Sequence, residues 1–372
     1  MATELIPAMD VFPIPGPVWL FHGLLVFTFI LHLLFVNLTL GGTMMAAIAH
    51  LSSGGRPGDY RTVLASRLMK INTFGISLTI TTAIAPLLFV QVLYQQYFYT
   101  ATILISWLWL FLLVFLMIGY YATYVYKFQG VSALGSGGAG WLLVAALLFL
   151  IVAMVHVAVN LVHSQPEGWS ELAANPWMVL ADPAYFPRLL HFVFASLGFS
   201  GLVVAWWATR QARHGQEREI NESIAAYGWK WALWSTLLIV IDGFLLLVVL
   251  PRDVLSGLMK GGAITLVPLT VSIVLGLGLL VMLARNQRPA EKPGLVAGTL
   301  AAMTLTVVIM TITRHQVRAL YLEDFTSQFA LISAPQWGNF LLFAVLLLAG
   351  LGTVAYMVRL VMANRTRGRE AA

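Results

Sequence analysis

Eight histidines are the residues with the clearest capacity for chemistry in this chain of 372 residues, of which 60% are hydrophobic. An imidazole placed in hydrocarbon is costly unless it binds a metal or pairs with a neighbour. Six histidines lie in or at the ends of apolar stretches: His22, His32, His156, His163, His191 and His315. Several imidazoles at one level of a helix bundle favour axial ligation of haem iron. Hydrogen bonding to a neighbouring helix is the alternative for any single one.

The spacing of the histidines limits how they can share a metal. His156 and His163 are seven residues apart, which places them on one helix face about two turns apart. One helix cannot supply both axial ligands of an iron, because the ligands approach from opposite faces of the haem. His22 and His32 are ten residues apart, or about 15 Å along a helix. We therefore expect them to serve different sites. Zinc or copper is less favoured, because no carboxylate or thiolate is interleaved with the histidines.

Four arginines stand near these histidines in the sequence and suit the carboxylates of a haem: Arg188, Arg252, Arg314 and Arg318. Arg314 and Arg318 flank His315, and Arg188 precedes His191 by three residues. Arginine is the preferred partner of carboxylates in partly buried sites, so we expect these side chains to bind haem propionates. Snorkelling to the membrane interface is the alternative, and it has most weight for Arg188 and Arg252.

One carboxylate, Asp242, lies well inside an apolar stretch. A buried acid in a membrane is a functional candidate, because its charge is expensive to place there. We predict that Asp242 relays protons or serves as a counter-ion. A salt bridge to one of the four arginines is the structural alternative.

The composition requires a membrane protein to position these residues. Only 10% of the chain is charged, against about 25% in a typical soluble protein, so a soluble enzyme is excluded. A span needs about 20 apolar residues. Nine stretches qualify, and they predict an all-α polytopic protein with helices over 18–49, 69–94, 100–125, 140–163, 188–209, 229–250, 262–284, 294–316 and 337–360. The connections are short, so residues 1–372 are expected to form a single transmembrane haem-binding domain. There is no cysteine, which excludes disulfides, thiolate metal sites and covalently attached c-type haem.

Basic residues orient the predicted helices. Of the 21 lysines and arginines, five fall on one side of the nine spans: Arg188, Arg252, Lys260, Arg314 and Arg318. The positive-inside rule makes the other side cytoplasmic, so the N-terminus is expected outside and the C-terminus in the cytoplasm. The six histidines then lie toward the outer face, whereas His50 and His214 are cytoplasmic. The net charge of +6 is a topology signal and indicates no nucleic-acid partner. No cleavable signal peptide is expected, because residues 1–16 contain no lysine or arginine.

Several short motifs, in their order along the chain, resemble subunit I of the cytochrome bd-type quinol oxidases. They are HLLFVNLTLG at 32–41, FGIS at 74–77, Asn160 with Gln165 and Pro166, Ser170-Glu-Leu with Asn175 and Pro176, and HFVFAS at 191–196. That subunit also has nine spans and carries its haems toward the outer face of a prokaryotic cytoplasmic membrane. The resemblance implies the same location here, with His32 and His191 as haem ligands. His315 aligns with a glutamate that ligates a second high-spin haem in the family, with Arg318 three residues further on.

The chain also departs from the family pattern. The position of the low-spin methionine ligand falls near Val274, which cannot ligate. The proton-conducting glutamates of the third helix are missing, since residues 103–126 contain no acid, and only 251–262 remain of the long quinol-binding loop. The chain also has three histidines that the family pattern does not require, His22, His156 and His163. Additional histidines allow six-coordinate haems, which do not bind oxygen readily.

These features together predict a divergent relative that moves electrons without reducing oxygen. We expect a multi-haem b subunit with two or three haems, which oxidises quinol at the outer face. It would pass electrons to an extracytoplasmic c-type cytochrome or another redox subunit, with a second membrane subunit as a further expected partner. This makes the chain an oxidoreductase subunit. The alternatives are a divergent terminal quinol oxidase and a non-redox transporter or assembly protein.

Overall fold

A computed structural model describes residues 6–7, 13–213, 215, 217–326 and 331–370. For residues 131–133, 354, 358 and 361–370 it describes the backbone alone. His214 lies outside the described residues. The described chain is almost entirely helical: α1 (Val18–Ser53), α2 (Tyr60–Leu93), α3 (Gln95–Ile105), α4 (Trp107–Leu134), α5 (Gly138–Ser164), α6 (Trp169–Ala174), α7 (Tyr185–Arg213), α8 (Arg218–Val249), α9 (Arg252–Lys260), α10 (Ala263–Ala284), α11 (Pro293–Tyr321), α12 (Glu323–Thr326) and α13 (Trp337–Glu370).

Nine of these helices in the described part of the chain are long and apolar enough to cross a membrane: α1, α2, α4, α5, α7, α8, α10, α11 and α13. The predicted all-α class and number of spans are therefore confirmed. Several helices run beyond the predicted limits, because a helix continues into polar sequence after the apolar stretch ends. In α2, for example, helix begins at Tyr60, nine residues before the predicted start, because the Asp59 carboxylate accepts the Arg61 backbone N–H at 2.9 Å and caps the helix.

The predicted third span over 100–125 is wrong in its limits. The chain instead forms the short helix α3, breaks at Ser106, where φ is +25°, and resumes as α4 at Trp107. A second break separates α2 from α3 at Tyr94. Neither break contains the glycine or proline that commonly marks a helix end. An apolar pattern alone therefore could not locate them, although the break at Tyr94 brings a buried tyrosine to the end of the bundle.

Helix α1 occupies a central position and packs against α2, α5, α7 and α11. Buried side chains join α1 to α2: Asn72 donates to the Thr43 hydroxyl at 2.6 Å, and the Thr39 and Thr79 hydroxyls are 2.8 Å apart. Interhelical hydrogen bonds of this kind stabilise helix pairs where water is excluded. They also fix the height of α1 against α2, which sets the position of His32 on α1.

Close approach of two backbones sets the contact between α1 and α7. A Cβ atom at Gly41 would collide with the Ser196 carbonyl group. The Ser196 hydroxyl donates to Asn37 Oδ1 at 3.0 Å, and the Ser200 hydroxyl donates to the Asn37 carbonyl at 2.9 Å. Small residues at a helix interface permit such contact in membranes. This contact holds the two helices that carry His32 and His191 side by side.

We predict that Gly41→Ala destabilises the protein by about 1–3 kcal/mol, because the added methyl group forces α1 and α7 apart. The measurement is the midpoint of thermal unfolding in detergent. Gly23→Ala is the matched control on the same helix, since nothing lies within 4 Å of a Cβ atom there. Equal midpoints for the two variants would show that the α1–α7 contact is not tight.

Candidate metal-binding centres

The six histidines singled out in the sequence lie at the end of the bundle where α1 begins, α5 ends, α7 begins and α11 ends. The structure sorts them into three groups. We name these the α1–α5 centre (His32 and His156), the Tyr94 centre (His22, His163 and His315 around Tyr94) and the His191–Asp242 pair.

In the α1–α5 centre, His32 is held by the backbone of α2. Its Nδ1 atom lies 3.1 Å from the Thr79 carbonyl oxygen. A carbonyl oxygen only accepts, so Nδ1 must carry the proton and the lone pair of the neutral ring must lie on Nε2. Thr79 is itself fixed, because its hydroxyl meets Thr39 and donates to the Gly75 carbonyl at 2.8 Å. The contact therefore leaves Nε2 as the atom that can bind a metal.

His156 has the same arrangement on α5. Its Nδ1 atom lies 2.8 Å from the Val152 carbonyl oxygen, so Nδ1 again carries the proton and Nε2 the lone pair. The ring packs edge-on against Trp109, with the ring centroids 5.7 Å apart. His156 is exposed in the structure and His32 is half-buried. The two rings are close enough to influence each other electrostatically. The charge of Arg314 also reaches His156.

Tyr94 joins the three histidines of the second centre. Its ring centroid lies 6.0 Å from that of His22 and 5.3 Å from that of His163, and the Arg318 guanidinium lies 5.5 Å from it. His22 and His315 also touch, with ring centroids 5.1 Å apart. Burial raises the pKa of the Tyr94 hydroxyl, although nearby Arg318 opposes the shift. Tyr94 is therefore neutral at physiological pH and can donate a hydrogen bond.

Unsatisfied nitrogens make the Tyr94 centre a candidate binding site. Both ring nitrogens of His163, which is only 2% exposed, are buried without a hydrogen-bond partner among the described residues, and so is Nδ1 of His22. An unpartnered buried donor or acceptor costs about 1–3 kcal/mol. A ligand that uses these atoms would remove that cost.

The third group pairs His191 with the buried carboxylate. His191 Nδ1 donates to Asp242 Oδ2 at 3.0 Å, and Asp242 is 5% exposed. The alternative in which Asp242 pairs with an arginine is therefore wrong. Metal-ligating histidines commonly donate their second ring N–H to a carboxylate, which orients the ring and increases its basicity. The observed contact thus orients the His191 ring and leaves the lone pair of the neutral ring on Nε2.

Three of the four predicted arginines lie together: Arg188, Arg314 and Arg318 interact through their charges. None of them belongs to an ion pair among the residues that the structure describes. Arg188 Nη2 and Arg318 Nε are buried without hydrogen-bond partners in the same part of the chain. Adjacent, uncompensated cations in a low-dielectric region are expensive, so this cluster favours an anionic ligand. Arg252 differs, because it is exposed at the start of α9, and interfacial snorkelling explains it adequately.

Aromatic rings hold the three arginines in place. The Arg314 guanidinium lies 4.6 Å from the Phe29 ring centroid, and Arg188 lies 5.2 Å from that of Tyr321. Arg188 Nη1 also donates to Asn160 Oδ1 at 3.4 Å, which gives this asparagine a role beyond helix packing. Arg318 contacts Tyr94 and so belongs to the Tyr94 centre, whereas the charge of Arg314 reaches His156 of the α1–α5 centre and also His163 and His315.

The donor sets fit haem better than a bare metal ion. No cluster of three or more His, Asp or Glu side chains able to hold a metal ion occurs in the described part of the chain. A haem iron needs only one or two protein ligands, supplied from different helices, together with cations for its propionates. His50 differs from these histidines because both of its ring nitrogens are hydrogen-bonded. Its Nδ1 lies 2.9 Å from the Tyr126 hydroxyl and its Nε2 lies 3.1 Å from the Gly135 carbonyl oxygen, so neither nitrogen is free to bind a metal.

Two residues of these centres, Tyr94 and Thr79, were not singled out from the sequence. Thr79 acts through its backbone carbonyl, which every residue possesses, so no sequence signal could have identified it. Tyr94 stood at the end of a predicted span, where an interfacial anchor is the ordinary explanation. Only the break between α2 and α3 shows that its ring lies among the histidines.

We predict that Arg318→Met raises the stability of protein prepared without a bound anionic ligand, by on the order of 1–4 kcal/mol, because an uncompensated buried charge is removed. The exposed Arg252→Met is the matched control and should change stability by less than about 0.5 kcal/mol. Thermal unfolding in detergent measures both. Loss of stability in Arg318→Met alone would mean that a group of the protein itself already compensates this charge.

Comparisons with known proteins support the architecture. No family profile and no curated protein matches the chain. Among solved structures, the chain is similar to one described as "The structure of bd oxidase from Geobacillus thermodenitrificans", with 16% sequence identity and a TM-score of 0.70. The match covers 93% of this chain and 99% of that one. At this level of identity the likeness shows a shared fold, so the chain has the helical membrane architecture of that bd oxidase chain.

Proposed function

We propose that this protein is a membrane-bound, multi-haem b electron-transfer subunit that oxidises quinol. Residues 1–372 would form one haem-binding domain. The observation that carries the proposal is the common state of three histidines, His32, His156 and His191, whose Nδ1–H groups are hydrogen-bonded and whose Nε2 atoms are left to bind iron. The fold shared with a bd oxidase chain supports the same conclusion.

Two or three haems of b type suit the ligand set. The axial ligands would come from His22, His32, His156, His163, His191 and His315, and the propionates would meet Arg188, Arg314 and Arg318, with Arg252 at the periphery. The chain has no cysteine, so the haems would be held without covalent attachment. The iron would supply reversible one-electron chemistry. The residues of this chain would orient the groups, balance their charge and exclude water.

Transfer to another redox protein is favoured over oxygen reduction. Residues 103–126 contain no acid that could feed protons to an oxygen site. Asp242, the one buried acid among the residues that the structure describes, is engaged by His191, which supports a positioning role in place of the predicted proton relay. With the histidine end outside in a prokaryotic cytoplasmic membrane, quinol would be oxidised there and its electrons would reach an extracytoplasmic c-type cytochrome or other redox subunit. A divergent terminal quinol oxidase is the second candidate, favoured by the shared fold alone.

A second membrane subunit is a further proposed partner. The described part of the last span, Trp337–Met357, buries none of its apolar stretch within the protein. Its beginning touches α1, where the rings of Phe340 and Phe21 lie 6.3 Å apart. A helix that is exposed on this scale is available to lipid or to another membrane subunit.

We predict that the purified protein carries two or three haem b groups per chain, because the three centres offer that many sites. A pyridine haemochrome spectrum with protein quantification measures the number and the type. Absence of a Soret band would overturn the proposal in favour of a non-redox transporter or assembly protein. Sustained oxygen uptake with a reduced quinol and no partner protein would instead favour the terminal oxidase.

We also predict that Asp242→Asn weakens haem binding at His191 by about 10–100-fold, because the ring loses the carboxylate that orients it. His191→Ala should abolish binding at that centre. Titration of haem into apoprotein, followed by absorption, measures both. Asp253→Asn, at an exposed acid on α9, is the control and should bind as the unaltered protein does. If Asp242→Asn matched this control, the carboxylate would not position His191, and if His191→Ala matched it, His191 would not be a ligand.

A further inference from the structure

We infer that His32 and His156 are the two axial ligands of one haem iron, which closes that iron to external ligands such as oxygen and carbon monoxide. The inference rests on the proposed function, since it takes haem binding as given. It goes further by pairing two residues and by assigning the coordination state that they impose.

The two side chains share the arrangement that a pair of axial ligands requires. Each donates Nδ1–H to a backbone carbonyl, at 3.1 Å for His32 and 2.8 Å for His156, so each ring presents the lone pair of Nε2. His32 lies about 15 Å along α1 from His22, and His156 lies about 10 Å along α5 from His163. Because His22 and His163 both contact Tyr94, His32 and His156 lie at similar depths in the bundle. They come from different helices, α1 and α5, which pack together. Two facing helices can supply ligands to opposite faces of one haem, whereas a single helix cannot.

The other histidines are committed elsewhere. His22 stands about 15 Å from His32 along α1 and touches His315. His163 lies about 10 Å from His156 along α5 and is surrounded by Tyr94 and Tyr97. His191 on α7 is bound to Asp242 on α8. His156 is therefore the histidine that remains for the iron bound by His32.

The surroundings of the pair suit a macrocycle with acidic substituents. The ring of Phe29 lies 6.3 Å from that of His32, and the ring of Trp109 lies 5.7 Å from that of His156. The Arg314 guanidinium sits over Phe29 at 4.6 Å, and its charge reaches His156. Aromatic walls and one half-buried cation at the same place match the apolar ring and the propionates of a haem.

Six-coordination has a direct chemical consequence. An iron with two imidazole ligands has no open position, so a gas binds only if one ligand dissociates. The His156 ring is held by its own helix through Val152 and by Trp109, which opposes such movement. The centre is thereby suited to passing electrons onward.

The test is carbon monoxide binding to the reduced holoprotein, with electron paramagnetic resonance of the oxidised form. The α1–α5 haem of the unaltered protein should be low-spin and bind no carbon monoxide. His156→Gly should convert about one haem per chain to a high-spin, carbon monoxide-binding form. Added imidazole should reverse both changes, which a merely structural role of His156 would not allow. Leu147→Ala, at an exposed position of the same helix, is the control and should leave the spectra unchanged.

A second variant covers the case in which His156→Gly does not fold. His156→Met retains a side chain able to ligate iron, so the haem should stay six-coordinate while its midpoint potential rises. Retention of the low-spin haems without carbon monoxide binding in His156→Gly would overturn the pairing and leave the proposed function standing. Carbon monoxide binding at the α1–α5 haem of the unaltered protein would also overturn it. A protein without haem would instead overturn the proposed function itself.

Discussion

The hydrogen bond made by Nδ1–H of His32, His156 and His191 is the interaction on which the α1–α5 centre and the His191–Asp242 pair depend. A neutral imidazole has one proton and one lone pair, and an acceptor at Nδ1 assigns the lone pair to Nε2. Three different acceptors do this here: the Thr79 carbonyl on α2, the Val152 carbonyl on the same helix as His156, and the Asp242 carboxylate on α8. The orientation of the three histidine rings thus depends on helix packing as well as on side-chain chemistry. Shifting α1 against α2 would remove the acceptor of His32 without changing any ligand.

The arginine cluster imposes the second constraint. Arg188, Arg314 and Arg318 repel one another in a region where water and counter-ions are scarce, and aromatic contacts such as Arg314 over Phe29 offset only part of that cost. The protein is therefore organised for a state in which anionic groups are bound there. Propionates would supply that charge beside the iron ligands, which explains why histidines and arginines share one end of the bundle.

The sequence predicted the number of helices and the level of the histidines, because apolar length and alternating basic loops are properties of single segments. It could not predict which histidines meet. His22 of α1 meets His315 of α11, and such contacts depend on helix rotation and on helix packing such as the small-residue interface at Gly41. The sequence also did not predict the break between α2 and α3, which places Tyr94 among the histidines of the Tyr94 centre. For Asp242 the sequence indicated a functional acid, and only the structure reveals that its partner is His191 on α7.

Two differences from the bd-type pattern, the absence of acids over 103–126 and the presence of His156, would both act against oxygen reduction. A haem that reduces oxygen needs an open position on the iron and a supply of protons. The stretch 103–126 provides no acid, and under the inferred pairing His156 would fill the position opposite His32. Either change alone would impair oxygen reduction, whereas neither impairs movement of electrons between fixed haems. Under the proposed function, a helical scaffold with His156 on α5 and no acid over 103–126 would suit electron transfer between haems better than catalysis at an iron.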